Sequence, residues 1–149
     1  MNNHILSVGP HGAANCFYLP TAPMLPHAWQ YNGPDAIAQL IELNGNHWRK
    51  ILVIMAKITA PDDWRDYMSR LLTQDNRIVF GATEIQSEAQ RHFVCGQQSA
   101  RNLDLPILDQ NQTFKPIHHD KHLIYLLPYL DYRQCPNRTI ADLRDELMM

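Results

Sequence analysis

The sequence predicts an α/β domain of three layers, α/β/α, around a central and mainly parallel sheet of about four strands. Two observations carry that expectation. Four short apolar runs each end in a small or turn-forming residue: Ile5-Leu6-Ser7-Val8-Gly9, Ile78-Val79-Phe80-Gly81, Phe93-Val94-Cys95-Gly96 and Leu123-Ile124-Tyr125-Leu126-Leu127-Pro128. They do not alternate with polar residues, the pattern of strands buried on both faces, and such strands belong mostly to parallel sheets covered by helices. Between the runs lie stretches with apolar residues at helical spacing, which supply the covering layers. Ligands of open parallel sheets sit beyond the carboxyl ends of the strands, so the loops after these runs are the expected place for function.

Length and composition set the bounds. A chain of 149 residues, 45% hydrophobic and 19% charged, is enough for one core, so residues 1–149 are read as a single α/β domain. A formal charge of −2 offers no global basic field for nucleic acid. Cys16, Cys95 and Cys135 form no CxxC pair, which argues against a disulfide framework or a thiolate zinc site and fits a reducing cytoplasm. The start, Met1-Asn2-Asn3-His4, lacks the features of a signal peptide, and no run nears the roughly 18 apolar residues of a membrane helix. A soluble, cytoplasmic, complete small domain without membrane contact is expected.

Taken in order, the first run is expected as the first strand. The segment Pro10 to Pro34, with Pro20, Pro23 and Pro26 inside it, has no helical period and is expected to be irregular. A helix follows Pro34, with Ile37, Leu40 and Ile41 on one face and Asn44-Gly45 as its stop. Asn46 then caps a second helix carrying Trp48, Ile51, Leu52 and Met55, although Ile51-Leu52-Val53-Ile54-Met55 read alone equally fits a buried strand. Pro61 in a first helical position and Asp62-Asp63 in a first turn mark a third helix, whose inward face is Trp64, Tyr67, Met68, Leu71 and Leu72. The polar stretch Thr83 to Gln90 is near the lower length limit for a parallel crossover between the strands at Ile78 and Phe93, so an antiparallel pair there stays open. The last helix begins near Asn137, with Ile140, Leu143 and Leu147 inward and Arg144, Asp145 and Glu146 in water.

Four constellations bear on chemistry. In the loop Gly9 to Tyr18, small residues admit a ligand to the backbone while His11 and Asn15 supply polar groups; neither GxxxxGK[ST] nor GxGxxG is present, and a plain tight turn is the competing reading. The junction Cys95-Gly96-Gln97-Gln98-Ser99-Ala100 would turn backbone N–H groups toward a carbonyl or an anion. Cys95 itself is read as a structural core thiol rather than a nucleophile. His118-His119-Asp120-Lys121-His122 matches no zinc spacing, so no metal and no cofactor are expected. The loop Pro128 to Asn137 places Tyr129, Asp131, Tyr132 and Arg133 between prolines, a set that suits stacking on a base and holding a phosphate, or equally a protein partner.

The order of these elements resembles the uracil-DNA glycosylase superfamily. Asn46-His47-Trp48-Arg49-Lys50-Ile51-Leu52 is similar to its Asn-x-Phe-Trp-x-x-Leu helix, and Leu71-Leu72 through Ile78-Val79 to its helix and second strand. Phe93 to Ala100 is similar to its Leu-Gly-x-x-Ala junction, and the Pro128 to Asn137 loop stands where it carries His-Pro-Ser-Pro. The catalytic carboxylate or amide expected ahead of the Pro in its first loop is absent from Gly9-Pro10-His11-Gly12, and the last loop has no His-Pro-Ser-Pro. A looser likeness, through Gly45 to Lys50 and Asp131 to Gln134, is to short bacterial proteins of unknown function.

The superfamily resemblance implies a nucleobase-, nucleotide- or nucleic-acid-binding protein with N-glycosidic hydrolysis as its extreme form. His11 and Asn15 would then be the catalytic groups; Phe17, Tyr18, Gly96, Gln97, Ser99, Tyr129, Asp131, Tyr132 and Arg133 would bind substrate. The alternative is a non-enzymatic interaction domain, meeting a protein partner or a second copy through the Pro10–Pro34 segment and the Tyr129–Arg133 loop.

Overall fold

The structure, a computed structural model, describes residues 6–86 and 88–148. The N-terminal tetrapeptide and Ile5, the start of the first expected strand, lie outside the described residues, as does Ser87 within the Thr83 to Gln90 stretch. In chain order the elements are β1 (Ser7–Val8), β2 (Asn15–Leu19), α1 (Ala36–Asn44), α2 (Asn46–Thr59), α3 (Trp64–Tyr67) with a 3₁₀ turn at Met68–Arg70, β3 (Asn76–Phe80), β4 (Arg91–Cys95), α4 (Gln97–Asn102), β5 (Lys115–His119), β6 (His122–Leu127) and α5 (Asn137–Leu147).

The α/β class expected from the apolar runs holds, but the sheet is mixed and has six strands rather than about four, in the order β1-β3-β2-β4-β6-β5. The inner four, β3, β2, β4 and β6, are mutually parallel, while β1 and β5 close the two edges in antiparallel sense. The first expected run gives only the two-residue edge strand β1, and the unexpected edge strand is β5, hard to see because it carries polar residues and Pro116, a composition tolerated only at an edge. The inner strand that the sequence hid is β2: Asn15-Cys16-Phe17-Tyr18-Leu19, read above as part of a loop, is fully buried. It lies between β3 and β4, so their connection passes across β2 and both pairings are parallel.

Alternate residues of the inner strands feed two cores. Phe17, Leu19, Ile78, Phe80, Phe93 and Tyr125 join α1, α2, α3 and α5 on one face. On the other, Tyr18, Val79, Val94, Ile124 and Leu126 join Ala100 and Leu103 of the α4 region. The Ile51–Met55 run is helical, and every residue from Ile51 to Ala56 is buried. A helix that is apolar all round is one enclosed by neighbours, and α2 packs against α1, α3 and α5 as well as the sheet core. Gly45 rather than Asn46 occupies its N-cap position.

Two helices differ from expectation at their ends. Pro61 precedes rather than starts α3, because Asp63 takes the cap, its carboxylate accepting from the Arg65 amide at 2.8 Å. The element lasts one turn, so Trp64 and Met68 are only partly buried, whereas Tyr67, Leu71 and Leu72 reach the core. In α5, Ile140, Leu143 and Leu147 face inward as expected. Arg144 does not stay in water: its Nη1 donates to the carbonyls of Lys57, Ile58 and Ala60 at 3.0–3.1 Å, capping the carboxyl end of α2.

Candidate functional site

The two ends of the parallel sheet have different chemistry, and the expected site residues are divided between them. Since β1 runs against β3, the turn that follows it lies at the amino end of the inner strands. His11 is exposed in that turn, and Asn15 begins β2 with its side chain buried. Asn15 Nδ2 donates to Asn76 Oδ1 at 3.1 Å, and its Oδ1 accepts from Arg91 Nη1 at 3.4 Å. Asn76, fully buried, donates in turn to Tyr67 Oη at 3.0 Å and the Leu71 carbonyl at 2.9 Å, and Tyr67 Oη donates to Asp75 Oδ2 at 2.9 Å. Burial first and Asp75 second raise the Tyr67 phenol well above its usual pKa, so it remains a neutral donor. This set joins β2, β3 and the 3₁₀ turn and answers each polar group internally, which is the signature of a staple. Gly9 fits over it because a Cβ there would lie 2.5 Å from the Asn76 carbonyl.

Phe17 and Tyr18 point into opposite cores. Phe17 stacks on Phe93 at 4.6 Å between centroids, and Phe93 stacks on Tyr125 at 5.5 Å. Tyr18 Oη accepts from the Gln86 amide at 3.2 Å and is hydrogen-bonded to His92 Nδ1 at 2.9 Å. Burial, and next the His122 ring 4.9 Å away, lower the His92 pKa to about 4.

The carboxyl end holds an open cleft of about 400 Å³ over β4 and β6. Three of the expected residues, Gly96, Gln97 and Tyr129, line it together with Gln134, and its far wall is the segment from Pro106 to Gln112. Gly96 turns the chain from β4 into α4 with φ +88°, a region that disfavours a Cβ. A Cβ would also press on Tyr129 Cδ1 at 3.2 Å. Tyr129 is fixed from its other end by His47, whose Nε2 lies 3.1 Å from its hydroxyl with the two rings stacked.

The remaining expected residues stand apart from the cleft. Ser99 is buried with its Oγ unpartnered among the described residues. Asp131 is a turn former: Oδ1 accepts from the Arg133 and Gln134 amides and Oδ2 from Gln134 Nε2, all at 2.9 Å. Tyr132 lines a separate depression with Lys57, and Arg133 is exposed. Cys95 is wholly buried, and burial, with Cys135 beside it, raises its pKa far from that of a nucleophile. His118 to His122 are neither a helix nor one strand but a hairpin, turned at Asp120-Lys121 with His119 opposite His122. Among the described residues no three His, Cys, Asp or Glu side chains are placed to hold a metal ion.

Sequence reasoning missed the far wall. Asp109, Gln110 and Gln112 lie in no strand or helix, and the sole hint was an amide-rich run after Pro106-Ile107-Leu108. Gln112 Oε1 accepts from the Asp109 amide at 3.0 Å, while Gln97 and Gln110 make no side-chain hydrogen bond among the described residues. The cleft thus offers amide groups, an aromatic ring and aliphatic side chains, and no Lys, Arg or His lines it.

Fold and site define an α/β protein with a small polar cleft over the carboxyl ends of two parallel strands. The chain belongs to a family of unknown function, DUF6942, whose pattern matches residues 6–148. No curated protein and no solved structure matches it. Among the described residues no helix is long and apolar enough to cross a membrane.

Proposed function

We propose that the cleft binds a nucleobase or nucleoside. The observation that carries this reading is the lining: four glutamines, Tyr129 and aliphatic residues, with Asp109 the charged group and no cation. A primary amide is both donor and acceptor, the complement of a base edge, and a flat ring beside aliphatic groups suits a planar heterocycle. The cleft has no cation to pair with a phosphate and its one charged group, Asp109, repels it, so the free base or nucleoside is favoured over the nucleotide. Recognition is favoured over hydrolysis as well. A departing base anion needs a donor and a positioned water beside it, and His11 and Asn15 lie at the other end of the sheet. Kinship with the uracil-DNA glycosylases rests on the sequence likeness and is part of the same proposal.

Calorimetric titration with uridine, cytidine, adenosine and guanosine tests it. One of the four should bind, Gln97→Leu should weaken it about tenfold, as expected for a lost hydrogen bond to a buried partner, and the 5′-monophosphate should bind no more tightly than the nucleoside. Silence from all four nucleosides removes the reading. A second reading, a protein interface, is favoured by Met24, Leu25 and Leu43, which are exposed together around Asn44. Asn44 grips both the amide and the carbonyl of Met24 at 2.8 Å, and sedimentation at rising concentration shows whether that patch joins two copies.

A further inference from the structure

A second surface lies on the exposed side of α2, and its chemistry differs from that of the cleft. Lys50 and Lys57 are seven residues apart, two helical turns, so they stand on one face about 10 Å from each other. The Tyr132 ring sits between them, with each ammonium 5.7 Å from its centroid. Lys57 also lies 5.1 Å from the Trp64 ring, over which the Arg65 guanidinium sits at 4.6 Å. Two depressions meet at Lys57. One, of about 260 Å³, is lined by Tyr132, Pro136 and Asn137; the other, of about 390 Å³, by Trp64, Arg65 and Arg144 with Asp62 and Asp63. Asp62 is matched by Arg70 at 3.2 Å, and Lys50, Lys57 and Arg65 outnumber Asp63, which keeps its charge as the α3 cap, so positive charge is in excess along the stripe despite the −2 charge of the whole chain.

We infer that this stripe binds a single-stranded nucleic acid, bases on Tyr132 and Trp64 and phosphates on Lys50, Lys57 and Arg65. The alternation of cations and π faces along one path matches the regular alternation of phosphates and bases in such a ligand, which a simple polyanion lacks and an acidic protein does not repeat. The lysines that cover the rings are no obstacle. An exposed cation–π contact is weaker than stacking of a base on the same ring, and a displaced ammonium gains a phosphate. The inference does not need the cleft to hold a nucleobase.

The test is fluorescence anisotropy of a labelled twelve-nucleotide oligothymidylate with the full chain at low and high salt. Binding should weaken as salt rises, and Lys50→Gln with Lys57→Gln should flatten the salt slope by about two ion equivalents. Tyr132→Ala, at an exposed position, should lower affinity about tenfold with an unchanged melting temperature. An abasic oligomer of equal charge should bind more weakly. Binding that survives in Gln97→Leu assigns it to the stripe. No binding at low salt, equal binding of the abasic oligomer, equal competition by inorganic polyphosphate, or a loss caused by Gln97→Leu but not by Tyr132→Ala would each overturn the inference.

Discussion

Single residues here are governed by the environment their strand neighbours create. His92 follows an unremarkable Arg91 in sequence, yet β2 on one side and β6 on the other leave it fully buried between Tyr18 and His122. Its folded pKa of about 4 lies below the ordinary 6.5, so the unfolded chain binds the extra proton first. The associated stability is complete above pH 6.5 and is lost as pH falls toward 4, by up to about 3 kcal/mol at ~1.4 kcal/mol per pKa unit. Urea unfolding at several pH values across that window should show the decline. His92→Gln, which keeps a hydrogen-bonding group for Tyr18 but does not titrate, should flatten it by one proton. An unaltered slope in that variant would mean that other groups dominate acid sensitivity. The same dependence on neighbours explains His11 and Asn15. Their residue types suggested chemistry, but one is a turn residue in water and the other a structural amide, and only the strand pairing distinguishes them.

At the scale of elements, legibility followed the strength of the period. α1 and α5, and the start of α2, were placed to within a residue or two because their apolar residues recur at helical spacing and their ends carry Gly45 and Asn137. The strand-like interior of α2 was ambiguous for a physical reason: six successive buried residues, Ile51 to Ala56, hide the period that Lys50 and Lys57 mark only at its ends. Four strands were legible as apolar runs, whereas β5 was missed because it is polar and β2 because it directly follows the small-residue stretch Gly9 to Ala14. Arg144 shows what an exposed-looking pattern conceals, since position 144 continues the polar face of α5 yet its guanidinium closes the end of α2. Three carbonyls share that one donor nitrogen, and the interaction is charge-assisted and partly buried. Arg144→Ala should lower unfolding free energy by about 2 kcal/mol, while Arg144→Lys should recover only part of it because a strongly hydrated ammonium on a shorter stem is harder to hold there. Denaturant midpoints of the two variants measure this; no loss in Arg144→Ala would show that water replaces the cap.

Across the whole molecule the parallel sheet has one closed and one open end. Its amino end is closed by Asn15, Asn76, Tyr67 and Asp75, a network that fastens the starts of β2 and β3; its carboxyl end opens into the amide-lined cleft. The general rule that ligands lie beyond the carboxyl ends was legible from the apolar runs. Its application failed at the first loop, because β1 was taken for a parallel strand and β2 for a loop. Gly96, Gln97 and Tyr129 line the cleft because they follow true inner strands, whereas the wall from Pro106 to Gln112 has no periodicity to read. Substitutions at the two ends should therefore have opposite effects. Asn76→Ala leaves the Leu71 carbonyl and Tyr67 hydroxyl without their buried donor and should cost about 2–3 kcal/mol, with nucleoside affinity unchanged in the folded protein. Gln97→Leu, at an exposed position, should alter stability by less than about 0.5 kcal/mol while weakening the nucleoside. Paired denaturation and titration of both variants decide the matter: if Asn76→Ala also abolishes binding in protein that remains folded, the two ends are coupled through β2 and β4 and the separation is wrong.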